Sequence, residues 1–136
     1  MHNLHALKKG LGLAALCAGL VALPLTAMAA DPGTEITTAA THAGFSAAAT
    51  SIDMAHTHLK HTLNCLVGPG GNGFDSAALN PCKNSGNGAI PDTADAAKKR
   101  SLEDVAAKTR AALMSNDLAA VQKDAAAVET ALKAMK

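Results

Sequence analysis

The sequence predicts an all-α protein, an antiparallel helical bundle whose one long loop is clamped by a disulfide. Three observations predict it. The 136 residues are rich in alanine, with larger apolar side chains returning at steps of three and four. Glycine, proline and asparagine crowd into a single stretch, "GPGGNGFDSAALNPCKNSGNGAIPD". Beyond the first 29 residues two cysteines remain, Cys65 and Cys82, at the end of a helical pattern and inside that stretch.

The first element is a leader. "MHNLHALKK" is a short basic segment, "GLGLAALCAGLVALPL" is apolar, and "TAMAAD" is small-residue chemistry around Ala27-Met28-Ala29. This is the form of a secretory signal peptide cleaved after Ala29, so residues 1–29 are set apart from the fold. Cys17 lies in "AALC", where Leu16 stands in place of the small residue that precedes a lipidated cysteine, and it reads as part of the leader. The exported domain is then 30–136, in the periplasm or beyond. An oxidising compartment makes Cys65–Cys82 a disulfide, contributing on the order of 3 kcal/mol.

Residues 34–66 read as one long helix, capped by Asp31 or Thr34, with Phe45, Ala48, Ile52, Ala55, Leu59, Leu63 and Leu66 in phase on one face. Gly44 is where it is expected to kink. Residues 67–91 are loop, tied back by the disulfide. A second helix covers 93–114 behind Asp92 or Thr93, with Leu102, Val105, Ala106, Thr109, Ala112 and Leu113 inward. "SND" is a turn with Ser115 or Asn116 as the next cap. The third helix, 117–135, carries Leu118, Val121, Ala125, Val128, Leu132 and Met135 at alternating steps of three and four. A turn this short sets those two helices antiparallel. At about 1.5 Å per residue the first helix is near 50 Å and its partners nearer 30 Å. It therefore either breaks near Gly44 to make a four-helix bundle or extends to a second subunit.

Charge excludes several functions. Lys8 and Lys9 leave with the leader, so 12 − 2 = 10 basic side chains face 11 acidic ones. That balance provides no footprint for nucleic acid or an anionic membrane. The apolar core is thin, with no Trp or Tyr and only Phe45 and Phe74. No G-x-S-x-G, H-E-x-x-H or C-x-x-C-H motif is present, so the chain is expected not to be an enzyme and not to attach haem covalently. Haem held non-covalently by a histidine and Met54 or Met114 is disfavoured by the scarcity of aromatic side chains.

The chemistry concentrates in "HTHLKHTLNC", residues 56–65. On a helix, side chains two apart point roughly 200° apart, while those three or four apart are neighbours. His58 and His61 therefore share a stripe with Met54 and Cys65, and His56 lies on another with Asp53, Lys60 and the distant His42. Paired imidazoles suit Cu²⁺, Ni²⁺ or Zn²⁺, and Met54 adds a thioether suited to Cu(I). As a thiolate Cys65 would complete a three-ligand stripe with His58 and His61; in the expected disulfide it supplies no ligand, leaving His58 and His61, with His56 and Met54 as further candidate ligands. A solvated helix face is the plainer alternative. His56 with Asp53 reads as a surface ion pair, with His42 too far upstream to join them. "GGNGFD" matches one unit of a calcium-binding G-G-x-G-x-D repeat, which needs stacked copies, and so reads as a turn.

The leader, the histidines along one helix and the hairpin "AALMSNDLAAVQKDAAAVETALK" together give a chain that resembles the small exported helical metal-binding proteins of Gram-negative bacteria. The resemblance implies a non-catalytic protein that buffers or sequesters copper, nickel or zinc. The rival expectation is a structural module docking an envelope protein or a second copy. A haem-binding electron carrier is the third.

Overall fold

The computed structural model describes residues 30–136, so the segment expected to be a leader, residues 1–29, and Cys17 within it lie outside the described residues. Five helices and no strand are found among them: α1 (Pro32–Ala47), α2 (Ile52–Val67), α3 (Ala89–Asp92), α4 (Ala96–Ala112) and α5 (Leu118–Lys133). No helix among the described residues is long and apolar enough to cross a membrane.

The segment expected as one helix over 34–66 is two. The break falls at residues 48–51, not at Gly44, which sits inside α1. Ser51 is the cause: its side chain accepts the Met54 N–H, and Asp53 places a negative charge in the new first turn. The chain reverses there, so α2 folds back along α1. Ser46 Oγ donates to Ala55 O at 2.9 Å, and Thr62 Oγ1 donates to Ala39 O at 3.3 Å. As one helix advances the other retreats, which makes the pair antiparallel. Gly44 serves close approach instead of bending, since a Cβ there would lie 2.9 Å from Glu129 Oε1 on α5. With Gln122 donating to Ala49 O at 2.8 Å, that contact sets α5 antiparallel to α1.

The caps match expectation at α1, where Asp31 is one of the two candidates, and differ at α4 and α5. Asp31, Asp95 and Asp117 cap α1, α4 and α5, each accepting backbone N–H groups of the first turn. Thr34, Asp92, Thr93, Ser115 and Asn116 do not cap these helices. At α1 and α5 the carboxylate wins over neighbouring hydroxyl and amide side chains because it both accepts the orphan donors and opposes the positive end of the helix, while at α4 Asp95 caps because Asp92 is engaged with the Asn87 N–H.

Two apolar clusters hold the helices together. Ile36, Leu63, Leu66, Leu102, Val105, Val128 and Leu132 form the larger, and Leu59, Val121, Ala55 and Ala125 anchor the smaller. The inward face of α5 matches the sequence pattern at Val121, Ala125, Val128 and Leu132, while Leu118 and Met135 are only partly buried.

The expected loop 67–91 contains the single turn α3, and the disulfide closes it onto α2: Cys65 and Cys82 are bonded and buried, with Cα atoms 5.2 Å apart. Buried Asn64 organises the same loop. Its Nδ2 donates to Asp75 O at 2.9 Å and Leu79 O at 3.2 Å, and its Oδ1 accepts the Asp75 N–H at 2.9 Å. A fully used buried amide of this kind fixes one loop conformation, because any alternative strands its donors and acceptors. Asp75, the last residue of "GGNGFD", is ion-paired with Lys60 at 3.0 Å.

Candidate metal centre

Reversal of the chain at residues 48–51 decides which histidines meet. His58 and His61 lie on the face of α2 that α1 covers, and α1 brings His42 to them. The Nδ1 atoms of His42 and His58 are 3.3 Å apart. One ring nitrogen from each of His42, His58 and His61 falls within 4.8 Å of the other two. Ring centroids are 5.0 Å apart for His42–His61, 5.5 Å for His42–His58 and 5.7 Å for His58–His61.

Local sequence holds this geometry. Ser46 and Thr62, each four residues beyond a histidine, are buried and bond across the hairpin on either side of the cluster. Small buried residues, Ala39, Ala43 and Ala55, lie between α1 and α2 and allow close approach. Phe45 packs beside the group, its centroid 5.6 Å from His42 and 5.3 Å from His58, while half of it stays exposed.

Two of the three imidazoles, His42 and His61, are biased toward the neutral form that a metal ion requires. Burial, reinforced by His61 and His58 nearby, pushes the His42 pKa down from 6.5 to about 4. His61 is lowered too, by burial and then by His58. His61 Nδ1 is shut off from solvent and has no hydrogen-bond partner among the described residues. A buried ring nitrogen left without a partner is costly, and a bound ion would use the lone pair of a neutral imidazole.

One spacing in the group agrees with coordination. Zinc–imidazole bonds of about 2.0–2.1 Å in a tetrahedron place two ligand nitrogens about 3.3–3.4 Å apart. The 3.3 Å between His42 and His58 equals one edge of that tetrahedron. Without an ion, the same contact is a hydrogen bond in which one Nδ1–H donates to the other ring, the direction following the tautomers.

The remaining sequence candidates lie elsewhere. His56 points to the α4–α5 turn, where its Nε2–H donates to Ser115 O at 2.9 Å, and it makes no ion pair with Asp53. It staples α2 to that turn, the reverse of the expected surface pair. Met54 is 46 % exposed and is not among the three grouped residues. Cys65 is spent in the disulfide. His42 is the residue that sequence reasoning missed, because a straight helix over 34–66 carries it away from His58. The available signal was "ATSID", residues 49–53, a serine cap followed by an acid in the first turn.

No protein-family model, curated protein or solved structure matches the chain. Function therefore rests on the site itself.

Proposed function

We propose that this chain is an exported, non-enzymatic metal-binding protein that holds one copper, nickel or zinc ion on His42, His58 and His61 and serves to buffer or sequester it. The observation that carries the reading is the convergence of three imidazole nitrogens within 4.8 Å, with His42 and His58 already at ligand–ligand spacing. Three nitrogen ligands suit any of these ions and leave a coordination position for water or an exchanging ligand. An open position favours exchange over permanent structural binding. The leader-like segment and the disulfide support an oxidising compartment such as the periplasm.

Calorimetric titration with Zn²⁺, Cu²⁺ and Ni²⁺ tests this. One ion should bind per chain. His42→Ala, His58→Ala and His61→Ala should each weaken the preferred ion by more than about 100-fold, since loss of an outer-shell partner alone costs 10- to 100-fold. His56→Ala should bind as the parent does. Parent-like affinity in all three ligand variants would end the assignment. Metal-free protein from the periplasm, with stability indifferent to chelators, would favour the interaction-module reading in its place.

A further inference from the structure

Away from the histidines, a cleft of about 610 Å³ opens between the loop after α2, the α3 turn and one face of α4. Its wall on α4 is a stripe at helical spacing, Lys99, Glu103, Ala106 and Arg110. Its apolar floor comes from Val67, Ile90 and Ala106. None of the histidines among the described residues lines it.

Two features make this a built pocket. The first is rigidity. The loop and α3 meet by backbone approach at Gly68 and Gly88, where a Cβ on Gly68 would lie 1.5 Å from Asn87 O and one on Gly88 would lie 2.5 Å from the Gly68 nitrogen. The disulfide braces the same two segments. A cavity of this volume, apolar inside and preformed, is in the range that holds a small organic molecule. The second feature is the charge at its rim. The two ion pairs among the described residues are Lys60–Asp75 and Lys133–Glu129, so Lys99 and Arg110 each lack a carboxylate partner. Arg110 is nonetheless held in place: its stem packs over Gly73, and one guanidinium nitrogen donates to Asn72 O at 3.3 Å. Its other N–H groups remain to serve an anion, and a planar fork fixed in this way suits a carboxylate. Glu103 offsets part of this charge, leaving two cations against one anion.

We propose that this cleft binds a small free amphiphile bearing a single carboxylate, its alkyl body on Val67, Ile90 and Ala106 and its headgroup between Arg110 and Lys99. This site stands independently of the metal centre, and its ligand is a dissolved monomer in place of a membrane surface.

The probe is decanoate, titrated calorimetrically below its aggregation threshold into the intact, disulfide-bonded protein, with decylammonium and decanol as charge controls. One decanoate per chain is expected, with decylammonium and decanol each at least about tenfold weaker. Arg110→Gln should weaken decanoate about tenfold, and Glu103→Gln should strengthen it. Gly70→Leu should block the cleft. A Cβ on Gly70 would meet nothing within 4 Å, so the substitution starts into open space, and circular dichroism checks that the fold is kept. His58→Ala should leave decanoate binding unaltered. Equal binding of decanoate and decylammonium, indifference to Gly70→Leu, or binding seen only with anionic vesicles would each overturn the proposal.

Discussion

Replacing Glu35 by Gln should stabilise the protein at pH 8 and leave it nearly unchanged at pH 4. Glu35 is 0 % exposed, buried near the start of α1 beneath the loop. Its Oε1 accepts the Gly88 N–H at 2.8 Å, while Oε2 is buried with no partner among the described residues. Burial raises its pKa from 4.5 to about 7, against the Gly88 hydrogen bond, and the charges of Asp92 and Asp31 add to the rise. The folded state thus holds this proton more tightly than the unfolded chain does. Below pH 4.5 both states are protonated and stability is independent of this group. Between 4.5 and about 7 stability falls as pH rises, and above 7 the whole cost is present. At about 1.4 kcal/mol per pH unit, that interval amounts to about 3 kcal/mol.

Glutamine keeps the acceptor for Gly88 and removes the ionisation. At low pH it exchanges an unpaired carboxylic O–H for an unpaired amide N–H, a near-even trade. Urea unfolding at pH 4.5, 6, 7 and 8 measures the difference. With a slope of about 1–3 kcal/mol/M, the midpoint of Glu35→Gln should exceed the parent's by about 1–3 M at pH 8 and converge with it at pH 4.5. The titration of His42 is common to both proteins and cancels in the comparison. Parallel curves, separated equally at every pH, would refute the reasoning, because they would mean that Glu35 does not change ionisation over this range.

Four further outcomes follow from the same structure. His42, lowered to about 4, contributes stability that is complete above pH 6.5 and lost as pH falls toward 4, so His42→Gln should flatten the acid limb of the stability curve. Zn²⁺ at 100 times its dissociation constant should raise unfolding free energy by about 2.7 kcal/mol, with no such rise in His42→Ala or His61→Ala. Cys65→Ala with Cys82→Ala should cost about 3 kcal/mol by chemical denaturation. Gly68→Ala should cost at least about 3 kcal/mol or prevent folding, read by circular dichroism, because φ is +65° and the new Cβ would lie 1.5 Å from a carbonyl oxygen.

Much of the helical content was legible, and the reason is local. Steps of three and four in "DLAAVQKDAAAVETALK" require no tertiary information, and Val121, Ala125, Val128 and Leu132 are buried as that pattern demands. The disulfide was legible because only two cysteines follow residue 29. Other features were not, because they depend on contacts distant in sequence. Asn64 reads as an ordinary polar residue near a helix end, yet it ties down residues 75–79. Glu35 reads as a first-turn acid suited to the helix dipole, yet it is a buried carboxyl bonded to Gly88.

The histidine cluster shows how one local decision controls the site. Helical phase alone separates His56 from His58 and pairs His58 with His61, and both results survive in the structure. Phase also carries His42 away, provided that residues 34–66 form one rod. A single competing serine cap at Ser51 removes that condition, and the rod becomes a hairpin. Residues equidistant from the turn then come together, as Ser46 with Ala55 and Ala39 with Thr62. His42 with His58 is another rung of the same ladder. Alanine, which makes the core thin, is what makes the rungs short: with the small buried Ala39, Ala43 and Ala55 on these two helices, little side-chain bulk holds the backbones apart. Larger core residues would bury more area and strengthen the fold, but they would hold the His42 and His58 rings beyond the 3.3 Å at which one ion can bridge them. The alanine-rich composition that supplies little apolar stability therefore serves the approach of the histidines directly, and the disulfide offsets the stability it forgoes.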